Sequence, residues 1–170
     1  MITIRNARGD EAEILATIGL RAWEKAMSPI GGTDAMRENA RAAFRNFTRS
    51  SWLTITVVEQ GGSLAGWAAR EGLDELISDF WIEPALKGRG IGRTLLQEIE
   101  RQIVQQGFEV ARVATHARNA EAIGFFQKNG YTVNWLSVAY SPKIDNDVQS
   151  VGLLKQLVVE AEEDAYGAGF

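Results

Sequence analysis

At 170 residues, 45% hydrophobic and 24% charged, the chain has the size and composition of one globular domain, which excludes the disordered and collagen-like classes. It has no cysteine and a single histidine, His116, so disulfides, thiolate metal sites, iron–sulfur clusters, a cysteine nucleophile and a multi-histidine metal centre are all excluded. The formal net charge of −4 argues against a nucleic-acid partner and favours cationic small molecules. No apolar run reaches the roughly 18 residues of a membrane span, and the first residues lack a signal-peptide pattern. The expectation is a soluble, cytoplasmic protein with no membrane partner and no metal.

Ile2-Thr3-Ile4 alternates as a short strand and gives way to a helix start at Gly9-Asp10. Residues 11–27 place Ile14, Leu15, Ile18, Ala22 and Trp23 at helical spacing, and Ser28-Pro29-Ile30-Gly31-Gly32 ends that helix. Thr33 or Asp34 caps a second helix, in which Met36, Ala40, Ala43, Phe44 and Phe47 fall three or four apart. Three β-rich runs follow, at 53–58, 64–69 and 76–82, the last stopped by Pro84. The spacing then predicts a helix over 91–106 closed by Gly107, a strand over 110–115 and a helix over 119–129 closed by Gly130. Strands at 131–140 and 148–158 flank a loop, and residues 159–170 read as an acidic tail carrying Glu160, Glu162, Glu163 and Asp164. This order of elements makes one α/β domain with a mixed sheet over 1–158.

The stretch Lys87-Gly88-Arg89-Gly90-Ile91-Gly92-Arg93 carries the most chemistry. It joins a strand to a helix, and its glycines let successive amide N–H groups face a ligand at the positive end of the helix. Lys87, Arg89 and Arg93 add countercharge, so the segment predicts a pyrophosphate cradle. It lacks the Gly-Lys-Ser/Thr end of a P-loop. It also has Arg93 where a dinucleotide fingerprint needs glycine or alanine, and it follows a late strand rather than the first.

The run Lys87 to Gly92 resembles the Arg/Gln-x-x-Gly-x-Gly/Ala signature of the Gcn5-related N-acetyltransferases, with lysine in the first position. Asn119-Ala120-Glu121-Ala122-Ile123-Gly124-Phe125-Phe126, followed by Gly130-Tyr131, resembles that family's second signature, Asn-x-x-Ala-x-x-x-Tyr and then Gly-Phe/Tyr. The family's element order matches over nearly the whole chain. The resemblance implies a single α/β (α+β) domain whose mixed, mostly antiparallel sheet has about seven strands, with helices on both faces. It also implies acetyl-CoA as cofactor and transfer of its acetyl group to a primary amine, read here as that of a small molecule.

Carried onto this chain, the resemblance has the backbone of Phe80, Trp81 and Ile82 pairing with the pantetheine arm like an added strand. The amides of Lys87, Gly88, Arg89, Gly90, Ile91, Gly92 and Arg93 hold the pyrophosphate. Asn119 reaches the pantetheine or a phosphate, Phe125 and Phe126 wall the channel, and Lys128 meets the adenosine 3′-phosphate. Asp79 is the preferred general base, acting through water, and His116 is a second candidate for base or acceptor contact. Trp23 with Ser28, Pro29 and Ile30 forms the acceptor side under a mobile lid, and a homodimer through the late strands is also implied. Phe126 stands where the family commonly has a proton-donating tyrosine, which leaves Tyr131, Tyr140 or water for that role. Two other functions stay open: acetylation of a protein N-terminus or lysine, and acyl-CoA sensing without turnover.

Overall fold

The computed structural model describes residues 1–141 and 146–158, with side chains described outside 137–148. The acidic tail expected at 159–170 and the middle of the loop before the last strand lie outside the described residues. In chain order the protein forms β1 (Ile2–Asn6), α1 (Ala12–Met27), α2 (Asp34–Ser51), β2 (Ile55–Gln60), β3 (Ser63–Ala69), β4 (Leu76–Ile77) and β5 (Asp79–Ile82). Then come α3 (Ile91–Gln105), β6 (Val110–His116), α4 (Ala120–Lys128), β7 (Thr132–Ser141) and β8 (Asn146–Gln156). The helix punctuation is the expected one. The Thr33 hydroxyl accepts from the Met36 amide at 3.1 Å, and Gly107 and Gly130 take the left-handed φ values of +97° and +96° that close a helix.

Two four-stranded sheets form, ordered β1-β2-β3-β5 and β4-β6-β8-β7. All pairs are antiparallel except β4 with β6. The single strand expected over 76–82 is thus two short strands in different sheets, and the described residues form eight strands. Ser78 is the physical reason. Its amide and its hydroxyl both donate to the Ala69 carbonyl, at 2.9 and 3.1 Å, while its Oγ accepts from the Glu71 amide at 2.9 Å. Those bonds pull the chain onto the end of β3 just after β4 has paired with β6, so β5 leaves the second sheet and joins the first.

Alternation along the strands divides the apolar side chains between two cores. Val57, Trp67 and Trp81 meet α1 and α2 through Leu15, Ile18 and Phe44. Gly19 makes that helix pair close, since a Cβ there would stand 2.6 Å from the Phe44 ring. On the opposite face Val58, Ala68, Ile82, Val113 and Leu153 surround α3, whose Ile91, Leu95, Leu96, Ile99 and Ile103 are all buried. Helix α3 therefore lies under both sheets and holds them together where their strands diverge.

Candidate active site

Past the divergence at Ser78 lies a cleft of about 580 Å³ beside β5, lined by β5, the loop into α3, α4 and one side of α1. Its first wall is backbone. The Glu83 amide donates to the Ala65 carbonyl at 2.8 Å, and β3 pairs with β5 through Trp67↔Trp81 and Ala68↔Phe80. In an antiparallel ladder this turns Trp81 and Glu83 toward β3 and leaves Phe80 and Ile82 with their N–H and C=O groups facing the cleft. Edge groups of this kind are a template for an extended ligand.

The second wall is the glycine loop. Gly88 and Gly90 sit at φ +84° and +79°, and a Cβ on either would meet nothing within 4 Å, so the backbone there is bare toward the cleft. The first hydrogen bond entering α3 runs from the Thr94 amide to the Gly90 carbonyl at 3.1 Å. The amides of Ile91, Gly92 and Arg93 precede it and have no helical carbonyl to reach, and Gly90 supplies no side-chain cap. Gly92 has a packing role instead, since a Cβ would press on the Phe125 ring at 3.2 Å. Lys87, Arg93 and Lys128 line the cleft, whereas the exposed Arg89 does not.

The third wall is α4. Asn119 lines the cleft and is also the helix cap, because its Oδ1 accepts from the Ala122 amide at 3.1 Å. Only its side-chain amide remains for a ligand. Phe125 and Phe126 line the cleft, as part of a cluster with Phe80 whose ring centroids lie 5.2–5.6 Å apart. Phe126 is also core, at 4% exposure. Glu121 is given no role in the sequence reading, yet it accepts from Lys87 across the cleft at 2.8 Å. That hydrogen bond holds its carboxyl below the usual glutamate range against the effect of burial, with Lys87 and Lys25 charges adding to it. Its signal was in the sequence: an acid in the first turn of the second motif's helix, where a carboxylate suits the helix dipole.

The candidate acid–base groups are less converged. Asp79 is 8% exposed and faces the α1 and α2 side, where its Oδ1 accepts from the Trp81 indole at 3.0 Å. It adjoins Ser78, and so the apex of the cleft, without lining it. His116 accepts the Arg118 amide on Nδ1 at 3.0 Å. Burial, then the Arg118 charge, pushes its pKa below the ordinary 6.5. The ring is therefore neutral at pH 7 with its proton on Nε2, a hydrogen-bond donor rather than a base. Tyr131 is 2% exposed and gives its hydroxyl to Glu100 at 2.8 Å, with Lys155 completing the group at 3.1 Å. Burial, then Glu100, raises its pKa far above 10.

Of the residues expected on the acceptor side, Trp23 is buried in the core between α1 and α2, and Ile30 packs against that core. Ser28 and Pro29 form the turn after α1. None of the four lines the cleft. Ala22 and Ala26 of α1 do, and their small side chains let the helix approach. Helix α1 is tied to β5 by Arg21, which donates to Glu83 at 2.6 and 2.9 Å.

A cleft with a free strand edge on one side and a bare helix N-terminus on the other suits an extended ligand that carries an anionic group. The acetyltransferase (GNAT) family model matches residues 17–131, more than half of the chain. The chain belongs to the GNAT acetyltransferase family. No curated protein matches it in sequence. Among solved structures it is similar to a GCN5-related N-acetyltransferase from Rhodopseudomonas palustris, at 20% identity and TM-score 0.77, over 91% of this chain and 95% of that one. The PaiA N-acetyltransferase of Thermoplasma acidophilum, solved in complex with coenzyme A, gives 20% identity and TM-score 0.72 over 92% and 99%. YncA, a putative acetyltransferase of Salmonella typhimurium solved with acetyl-CoA, gives 19% and 0.63 over 94% and 96%. At these identities the likeness concerns the fold. The described residues include no helix long and apolar enough to cross a membrane.

Proposed function

We propose that this protein is an acetyl-CoA-dependent N-acetyltransferase that modifies a primary amine of a small molecule by direct attack in a ternary complex. The observation that carries this reading is the break at Ser78, which sets the free edge of β5 and the bare amides before α3 in one cleft. The residues present fit coenzyme A. The edge groups of Phe80 and Ile82 match the amides of a pantetheine arm, and the Ile91, Gly92 and Arg93 amides with Lys87, Arg93 and Lys128 match the phosphates.

Acetyl-CoA supplies an activated acyl carbon. The amine nitrogen forms a bond to that carbon, the carbon–sulfur bond breaks, and coenzyme A leaves as the thiolate. The ammonium must first give up one proton, and the attacking nitrogen loses a second after bond formation. The thiolate recovers one, so a single proton is released overall. Asp79, beside the apex, takes the amine proton through water. Phe126 has no proton to give, Tyr131 is committed to Glu100, and the Tyr140 side chain lies outside the described ones; we assign protonation of the thiolate to solvent. A thiol near its reference pKa of about 8.5 is a good enough leaving group for that.

The reading is tested by incubating the protein with acetyl-CoA and a panel of amines and peptides while following free thiol. Amine-dependent thiol release supports it. Binding of coenzyme A with no release from any amine or peptide makes the protein a sensor instead.

A further inference from the structure

Helices α1 and α2 cover one face of the first sheet, but the corresponding face of the second sheet belongs to neither core. On β6, Ala111 and Val113 point into the α3 core, so Arg112, Ala114 and His116 point the other way. Register carries that face across the sheet. Leu76 stands opposite Arg112, Ala114 opposite Gly152, and Gly152 opposite Trp135. The resulting surface is apolar at Leu76, Ala114 and Trp135, with Leu76 43% and Trp135 42% exposed. Trp135 does not stand free. Its indole lies across Gly152, where any Cβ would overlap the ring, so the glycine forms its seat.

This row is level with the apex of the cleft. The pairing of β4 with β6 ends at Ile77↔Val113, so Ala114 is the first residue of β6 from which the neighbouring strand has departed. A nitrogen presented at the apex from this face leaves the rest of its molecule lying over Ala114 and against the indole. One inter-strand step, about 4.8 Å, separates Ala114 from Gly152. Three of the described groups bordering the surface are occupied or neutral. Arg112 is ion-paired with Glu75, His116 is held neutral by its surroundings, and Asp79 accepts from Trp81.

We propose that the acceptor is a primary amine with an apolar, aromatic or branched body two or three bonds from the nitrogen, and that Trp135, seated on Gly152, is the residue that selects it. The inference rests on the transferase reading above and names its substrate class.

The test uses the protein with saturating acetyl-CoA and compares 2-phenylethylamine and 3-methylbutylamine with ethanolamine, putrescine and an alanine-started tetrapeptide. Expected is a kcat/KM for 2-phenylethylamine about 10–100 times that for ethanolamine or putrescine. Trp135→Ala should erase about tenfold of that preference, mostly through KM. Gly152→Ala, which evicts the indole while keeping it in the chain, should do the same. If either variant folds poorly, the unaltered protein answers: 2-phenylethylamine added to the coenzyme A complex should shift the indole N–H resonance of Trp135, assigned with Trp135→Phe. Turnover of small amines with no apolar preference, a preference untouched by both variants, or turnover of the peptide alone would overturn the inference and leave the transferase reading standing. No thiol release from any acceptor would instead sink the reading on which it rests.

Discussion

Phe126 and Tyr131 stand ring to ring at 5.3 Å, and their surroundings assign both to packing rather than proton transfer. Tyr131 is fixed by the Glu100 carboxylate on α3, whose other neighbour is Lys155. Its burial keeps the phenol neutral well past its ordinary range, so it can neither approach nor protonate a thiolate in the cleft. Tyr131→Phe should therefore lower stability by about 1.5–3 kcal/mol, the worth of a buried hydrogen bond to a charged group. The rate of thiol release at a temperature well below the transition should not change. Thermal unfolding and a thiol assay on the same sample check both parts. The same logic narrows the role expected of Asn119. Its oxygen caps α4, so only its amide side is left to bind, a division that no spacing of residues reveals.

The loop from Lys87 to Arg93 works as a unit because its conformation, more than its charge, exposes the amides. Gly90 sits at φ +79° with open space above it. Gly90→Asp would strain the backbone and place a carboxylate among the phosphates. Coenzyme A affinity should fall at least tenfold, by about 1.4 kcal/mol or more, as read by calorimetric titration. Equal affinity would remove the loop as a phosphate site. Helix and strand positions were legible in the sequence because periodicity and punctuation are local: glycines 107 and 130 closed α3 and α4 where expected. The break at Ser78 was not. It depends on hydrogen bonds from Ser78 to Ala69 and from Glu71 to Ser78, between residues several positions apart that look like one continuous strand, Leu76 to Ile82. The two motifs located the cleft for the same local reason. The residues that line it from α1 were missed, since Ala22 and Ala26 carry no chemical signature and are defined only by how the helix packs.

Across the whole molecule, ion pairs join elements distant in sequence, and one of them sets an expected response to acid. Arg5 on β1 reaches both Glu11, before α1, and Glu59 on β2, at 2.6 and 2.8 Å. The Arg5 hydrogen bond, partly opposed by burial, holds the Glu11 carboxyl below its ordinary 4.5. A depressed carboxyl stabilises the fold fully above its unfolded value and loses that contribution as pH falls through the folded one. Stability should therefore decline below about pH 4.5, and Arg5→Ala should flatten that decline while lowering stability at neutral pH. Thermal unfolding from pH 3 to 7 reads both effects. An unchanged acid limb in the variant would remove this pair as its source.

Helix α3 spans two sheets that part at Ser78, and the proposed function places an extended, phosphate-bearing thioester in the gap. Hydrogen–deuterium exchange of the protein with and without coenzyme A tests this most directly. Protection should appear at the outward amides of Phe80 and Ile82, along 87–93 and at the start of α4. The outer strands β1 and β7 should stay as they were. Binding without protection on β5, or protection confined to another face, would contradict the account.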